Sequence, residues 1–334
     1  MTTSLDRLLP GPDAALRCAD HARGIRIDPG GTAIRADRVI CVDTPAPWPK
    51  PALAHELLSP LAAVLADDPV PTRLLAATGP GFGATASPGD GVAVVLYRRF
   101  PDGAGEQRFR VADAEDLAAW GTALGTVEGA DDPSPLAPWA EGPATAATPA
   151  VLICTQGSHD VCCGSDGVRF AAEAEAATGD FDVYRVSHTG GHRFAPTAMT
   201  LPDGRMWADL DLDTLRAVAA EAGAVGDVVD RCRGWWGADT GPAQVAERAV
   251  LAEVGWEFNH RLRTVTVETS PVESPAPDRP EGAVAALVTA DDDTWRVTVA
   301  PGRRVPTIAC RQPGGLPVKE AREYDVLSIE ALGA

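Results

Sequence analysis

The chain has 334 residues and a formal net charge of −18, with 45% hydrophobic and 23% charged residues, as expected of a folded globular protein with two or three domains. This acidic excess argues against binding to nucleic acid or to an anionic membrane surface, because both would repel it. No apolar run is long enough to cross a bilayer, and the amino terminus lacks the pattern of a signal peptide. We therefore expect a cytoplasmic protein.

The first segment, residues 1–127, predicts an α/β unit. Strands are expected at 36–43, 72–78, 91–100 and 106–112, and helices at 60–67 and 113–124. Ser59 is the expected N-cap of the first helix, and Pro60 its first residue. The glycine-rich stretch at 79–89 follows a strand, but no helix pattern opens behind it. It therefore does not predict a nucleotide-binding loop.

Residues 150–268 predict a second α/β unit, bounded by stretches at 128–149 and 269–282 whose proline- and acid-rich composition is typical of linkers. Its expected elements are a strand at 150–154, a helix at 168–178, a strand at 181–187, a hairpin around Pro202-Asp203-Gly204 and a helix at 213–222 with Asp213 as N-cap. This is the element order of a thioredoxin-like domain, and residues 1–127 repeat it weakly. The remaining segment, 283–334, predicts a small β-rich tail without recognisable chemistry.

The cysteines are concentrated in one place. Their odd number in a chain without a signal peptide does not suggest a disulfide framework; they are Cys18, Cys41, Cys154, Cys162, Cys163, Cys232 and Cys310. Three of them lie in the stretch CTQGSHDVCCG at 154–164, directly after the strand at 150–154. His188-Thr-Gly-Gly-His192 follows the strand at 181–187. Because the carboxyl ends of neighbouring parallel strands meet at one sheet edge, these thiols and imidazoles are expected to face one cavity.

These residues resemble the sucrase/ferredoxin-like family, whose carboxyl-terminal domain is a thioredoxin-like ferredoxin. The resemblance is carried by Cys154-Thr-Gln-Gly, by Asp160-x-Cys162-Cys163 and by SHTGGHRFAPTAMTLPDGRMWADLD at 187–211. The segment RGWWGADTGPAQVAE at 233–247 is also similar. Fainter matches occur at 31–33 and in VDTPAPWPKPAL at 42–53, and the tail shows none.

The resemblance implies a [2Fe–2S] cluster held by Cys154, Cys163, His188 and His192. Cys163 fits the family spacing better than Cys162, because it keeps the interval and the glycine that follows. Many relatives have a histidine at the position of Gln156, whereas this chain has His159 nearby. This difference leaves the roles of Gln156, His159 and Cys162 open. Arg193 and Trp207 are candidates to shape the pocket, although an ion pair and a core aromatic residue are equally consistent with them.

Two thiolates with two imidazoles form the Rieske type of ligand set. With both irons ferric this set gives a neutral cluster, whereas four thiolates give a dianionic one, so the reduction potential should exceed that of plant-type ferredoxins. Exposed ring N–H groups would couple electron uptake to a proton. The resulting hypothesis is an electron carrier that is reduced by a separate reductase and serves an unknown acceptor.

Two alternatives remain. The same four residues suit a structural zinc ion, since zinc also accepts two sulfur and two nitrogen ligands. A thiol-redox protein on a thioredoxin scaffold is the other, although the chain has no C-x-x-C motif. Sugar hydrolysis, which only the family label suggests, lacks a recognisable pair of carboxylates.

Overall fold

The computed structural model describes residues 8–10, 16–82, 91–100, 103–127, 134–177, 181–268, 280–310 and 319–333. Most of the glycine-rich stretch at 79–89 and nearly all of the second expected linker, 269–282, lie outside these ranges. None of the helices within them is both long and apolar enough to span a membrane.

Six α-helices and fourteen strands lie within the described ranges. The helices are α1 Cys18–Gly24, α2 Ser59–Leu65, α3 Ala114–Gly125, α4 Val168–Ala176, α5 Leu212–Ala219 and α6 Gly241–Val254. The strands are β1 Arg38–Asp43, β2 Thr72–Thr78, β3 Val92–Phe100, β4 Gly103–Val111, β5 Thr145–Ala146, β6 Ala150–Cys154, β7 Asp182–Val186, β8 Ala198–Leu201, β9 Arg205–Trp207, β10 Cys232–Trp235, β11 Arg263–Val267, β12 Val284–Ala290, β13 Asp293–Thr307 and β14 Lys319–Ala331. Each strand and helix expected from the sequence is present, with ends displaced by a few residues.

The second α/β unit follows the predicted order. Strand β6 pairs in parallel with β7, and α4 connects them. On its other side β6 pairs antiparallel with β8, which forms the expected hairpin with β9 around Asp203. Strand β6 is buried along its whole length. The sheet covers both of its edges, α4 and α5 cover one face, and a cluster that includes Trp235 and Trp236 covers the other.

The first α/β unit has the same pairing pattern. Strand β1 is parallel to β2 and antiparallel to β3, and β3 forms a hairpin with β4. The two units join through an antiparallel contact between β2 and β7, with Ala77 opposite Val186. The result is a single ten-stranded mixed sheet in the order β10-β9-β8-β6-β7-β2-β1-β3-β4-β5.

Three local expectations were wrong. Helix α5 begins at Leu212, and its N-cap is Asp211, not Asp213, because the Asp211 carboxylate accepts a hydrogen bond from Thr214 N. Helix α2 already includes Ser59, so its N-cap is Leu58, which makes no side-chain capping hydrogen bond. Part of the expected linker at 128–149 is structured, since β5 pairs with β4 and a 3₁₀ helix occupies 134–139.

The β-rich character of 283–334 is confirmed, since β12, β13 and β14 form a separate antiparallel sheet. Its fourth strand, β11, comes from the segment 150–268, and the order is β11-β12-β13-β14. Helix α6 packs on it through Val245, Val250 and Leu251. The same helix reaches the large sheet, because its buried Glu247 forms a double hydrogen bond with the equally buried Arg205 of β9, each at 2.7 Å.

Candidate metal centre

The candidate site lies at the carboxyl end of β6 and β7. Cys154 is the last residue of β6, is 1% exposed and stands opposite Val186 in the parallel register. His188 follows two residues after Val186, so it emerges at the same edge of the sheet. The predicted convergence of the two loops is confirmed.

Three of the four predicted ligands form a compact group. The ligand atoms of Cys154, Cys163 and His188 all lie within 4.8 Å of one another, and His188 Nδ1 is 3.9 Å from Cys154 Sγ. Cys163 starts a π-helical turn, Cys163–Gly167, immediately before α4. Such wide turns often occur at functional sites, and this one keeps the Cys163 side chain buried beside β6.

The two thiols of this group differ in acidity. A hydrogen bond from Cys163 and the nearby His188 hold the pKa of Cys154 well below its usual range, although burial opposes the shift. The same hydrogen bond, together with burial, raises the pKa of Cys163. Of the two thiols, Cys154 therefore loses its proton more readily, and the thiolate is the form that binds metals.

His192 is close but outside the compact group. Its ring centroid lies 5.9 Å from that of His188. Its Nδ1 is 3.3 Å from Cys18 Sγ and 3.4 Å from Asp160 Oδ2, which leaves Nε2 as the nitrogen without these neighbours. A ring nitrogen held by a carboxylate is the usual arrangement of a metal-binding histidine. Burial lowers the pKa of His192 despite Asp160, so the ring is neutral at pH 7.

A third imidazole lies against His188. The ring of His159 stacks on it with 3.5 Å between centroids and 13° between planes. Burial and the neighbouring His188 lower the pKa of His159 to about 3, so this ring is also neutral at pH 7. Its backbone carbonyl accepts a hydrogen bond of 2.9 Å from Lys50 Nζ.

Gln156 joins the loops of the site. Its Oε1 accepts from His188 N at 2.9 Å, and its Nε2 donates to the carbonyl of Pro49 at 2.6 Å. The question that the sequence left open at this position therefore has a structural answer. Gln156 holds the loop of His188 against both the cysteine loop and the segment at 42–53, which was one of the faint family matches.

Glycines permit close packing at two points in the loops of the site. Gly190 and Gly191 have φ angles of +81° and +73°, which residues other than glycine rarely adopt. In addition, a Cβ atom on Gly191 would lie 2.7 Å from Arg233 Cζ. A Cβ on Gly164 would lie 2.5 Å from Gly157 Cα. Both loops therefore depend on residues without side chains at these points.

Two arginines near the site, the half-buried Arg73 and the buried Arg233, were not foreseen. Arg73 donates to the carbonyl of His188, and Arg233 donates to the carbonyls of Gly190, at 3.1 Å, and Thr32. Burial lowers the pKa of Arg233 to about 10, while the charges of Cys154 and Cys163 oppose that shift. The sequence signal that could have found one of them is the position of Arg73 in the otherwise largely apolar strand β2. Both supply positive charge that balances thiolates.

Trp207 and the cysteines outside the predicted ligand set lie in different surroundings. Trp207 belongs to the apolar core on one face of the sheet and donates to Thr200 Oγ1. Cys41 and Cys232 are buried in the apolar core, as expected of inert thiols. Cys18 and Cys310 lie outside these two core clusters. Both lie beside Cys162 and Asp160, next to the candidate centre.

Comparison with known proteins gave one result. A family model described as sucrase/ferredoxin-like matches residues 30–234 of the chain. Searches of curated proteins and of solved structures found no significant match. The matched range contains the cysteine loop, HTGGH and both faintly similar segments near the amino terminus.

Proposed function

Because the chain belongs to the sucrase/ferredoxin-like family, we propose that it is an electron-transfer protein carrying a [2Fe–2S] cluster on Cys154, Cys163, His188 and His192. The observation that carries this proposal is the parallel pairing of β6 with β7, which brings Cys154 and His188 to one sheet edge. When bound, such a cluster accepts and passes on single electrons.

The donor set supports this assignment. Two buried thiols and two imidazoles make the Rieske type of ligand set, and the low pKa of Cys154 favours the thiolate form that binds metals. Arg73 and Arg233 place two positive charges beside the thiolates, where they favour the reduced, more negative state of a bound cluster.

The arrangement also suits electron exchange. Cys154 and Cys163 are buried, whereas His188 and His192 are partly exposed, and the His192 side chain is 18% exposed. The imidazoles therefore offer the route between the interior and a partner protein. We propose a separate reductase as electron donor, since the sequence has no flavin or nicotinamide motif.

We further propose that the two α/β units are thioredoxin-like, the first within 1–127 and the second within 150–268, and that 283–334 forms the remaining sheet together with β11. The order β9-β8-β6-β7 in one unit and β4-β3-β1-β2 in the other supports this, because both give the same succession of parallel and antiparallel pairs. The contact between β2 and β7 would then join two equivalent units edge to edge.

A second candidate function is structural zinc binding. It is favoured by the compactness of the group formed by Cys154, Cys163 and His188, whose ligand atoms lie within 4.8 Å of one another. A single tetrahedral ion with Zn–S bonds of about 2.3 Å suits such spacing.

The deciding experiment uses full-length protein purified without oxygen. Its visible spectrum is recorded, and iron, acid-labile sulfide and zinc are assayed on the same sample. The electron-transfer proposal requires visible absorption with about two irons and two sulfides per chain. Colourless protein whose zinc is lost in Cys163→Ser would establish the zinc function instead.

A further inference from the structure

A second group of thiols lies outside the proposed cluster set. It combines Cys18 at the start of α1, Cys162 in the cysteine loop and Cys310 beyond the end of β13. Their sulfur atoms and a carboxylate oxygen of Asp160 all lie within 4.8 Å of one another. Three distant parts of the chain therefore deliver thiols to one point.

The spacing within this group is that of a metal site. Cys162 Sγ is 3.3 Å from Cys310 Sγ, and Cys18 Sγ is 3.4 Å from Asp160 Oδ1. In a tetrahedral zinc site with Zn–S bonds of about 2.3 Å, the ligand atoms are separated by about 3.8 Å. Shifts of a few tenths of an ångström would admit the ion.

Asp160 is held in position by the backbone of its neighbours. Cys162 N donates to Oδ1 at 2.9 Å, and Cys310 N donates to Oδ2 at 3.1 Å. The side chain is only 1% exposed. Since a carboxylate has about four acceptor positions, these bonds leave a lone pair available to a metal ion.

A buried cation lies beside this group of thiols. Arg193 is 8% exposed and interacts electrostatically with Cys18. Among the residues that the structure describes, its Nε has no hydrogen-bond partner. A buried guanidinium that lacks full hydrogen bonding is costly beside neutral thiols, and much less so beside an anionic metal–thiolate centre.

We propose that Cys18, Cys162, Cys310 and Asp160 bind a structural zinc ion, independently of the metal at the first site. Three sulfur ligands and one oxygen ligand suit four-coordinate zinc, and together they fill its four positions and leave none for a substrate. The ion fastens α1 and the end of β13 to the cysteine loop. It also lies next to His192, since Asp160 contacts that ring.

The test is the metal content of full-length protein, measured by mass spectrometry of the elements together with a count of free thiols after denaturation. We expect wild-type protein to contain about one zinc per chain in this site. Cys310→Ala and Cys18→Ala should each lose it while iron, sulfide and visible absorption stay unchanged. Cys41→Ala is the matched control, because it removes a buried thiol that belongs to neither site. This variant should keep all metals.

The outcomes separate this proposal from the first. If the first site itself holds zinc, Cys163→Ser removes one ion and Cys310→Ala removes another. Loss of iron instead of zinc in Cys310→Ala would overturn the proposal, because Cys310 would then belong to the iron site. The proposal is also overturned if wild-type protein and Cys310→Ala contain the same amount of zinc. In that case, a wild-type count two thiols short of seven would indicate a Cys162–Cys310 disulfide in place of the metal site.

Discussion

The side-chain amide of Gln156 bonds to the backbone N–H of His188 at 2.9 Å and, through its other atom, to the carbonyl of Pro49 at 2.6 Å. Gln156 is 3% exposed. One buried amide therefore fixes the loop after β7 to the loop after β6 and to the segment after β1. The position of His188 depends on it.

Replacing this amide should destabilise the folded protein. Gln156→Leu leaves the His188 N–H without its acceptor, and such a loss costs about 1–3 kcal/mol when the group is buried. The Pro49 carbonyl keeps only the longer hydrogen bond from Ser158 Oγ at 3.3 Å. We expect a lower free energy of unfolding in urea and faster loss of metal. Gln156→Glu keeps an acceptor for the His188 N–H, so its free energy of unfolding should lie between those of wild type and Gln156→Leu. Equal stabilities of wild type and Gln156→Leu would refute the role given to Gln156.

The neighbouring cysteines Cys162 and Cys163 should have separate functions. Cys163→Ser, like Cys154→Ser, should lose or badly impair the iron–sulfur cluster. Cys162→Ser should keep the visible spectrum and lose zinc, because its sulfur faces Cys310. Spectra and metal assays on the three variants decide this. Bleaching by Cys162→Ser but not by Cys163→Ser would move the ligand assignment by one residue.

The histidines of HTGGH should set the reduction potential. In the double variant His188→Cys, His192→Cys, two added negative charges should lower it from the Rieske range, roughly −150 to +300 mV, toward the roughly −400 mV of plant-type clusters. The pH dependence should also shrink, because thiolate ligands carry no ring nitrogen that takes up a proton.

The potential is measured between about pH 6 and pH 9, which brackets the ordinary histidine range. His159→Gln is the matched control, since His159 stacks on His188 without being a proposed ligand. It should retain the cluster and most of the pH dependence. If the double variant assembles a cluster whose potential and pH slope are unchanged, the two histidines are not ligands.

The hairpin turn should make stability depend on pH in a predictable direction. Burial raises the pKa of Asp203 to about 6, although Arg205 and a hydrogen bond from Thr200 oppose the shift. The folded protein therefore binds this proton more tightly than the unfolded chain. The stabilisation is fully present below about pH 4 and is lost as the pH rises through about 6.

Asp203→Asn removes this titration while keeping an acceptor for Thr200. The variant should gain stability relative to wild type between about pH 4 and pH 6, and urea unfolding at several pH values measures the difference. The difference should level off above about pH 7. A constant difference across the whole range would show that Asp203 has an ordinary pKa.

The elements around the first site and its candidate ligands could be predicted from the residues alone. Strand and helix periodicity located β6, α4 and β7, because one face of each must be buried in a way that the residue pattern records. The rule that parallel strands end at one edge then sufficed to bring Cys154 and His188 together. The family resemblance supplied the choice of Cys163 over Cys162.

Local capping was less predictable. Asp211 and Asp213 are both suitable N-caps by residue type, and only the backbone conformation at the start of α5 selects Asp211. The expected linker at 128–149 has the composition of a loop, yet β5 finds a partner in β4. Such short pairings depend on what lies alongside, which local sequence does not record.

The distant residues that surround the site could not be predicted from sequence patterns, because tertiary packing brings them there. Cys18 and Cys310 stand 292 positions apart, and nothing local to either indicates that Cys18 N bonds to Cys310 Sγ. Likewise Arg73 and Arg233 reach the HTGGH loop from strands in different α/β units. Contacts of this kind follow from how the sheets and α1 pack together. A periodic pattern encodes which face of an element is buried, but not the partner that buries it.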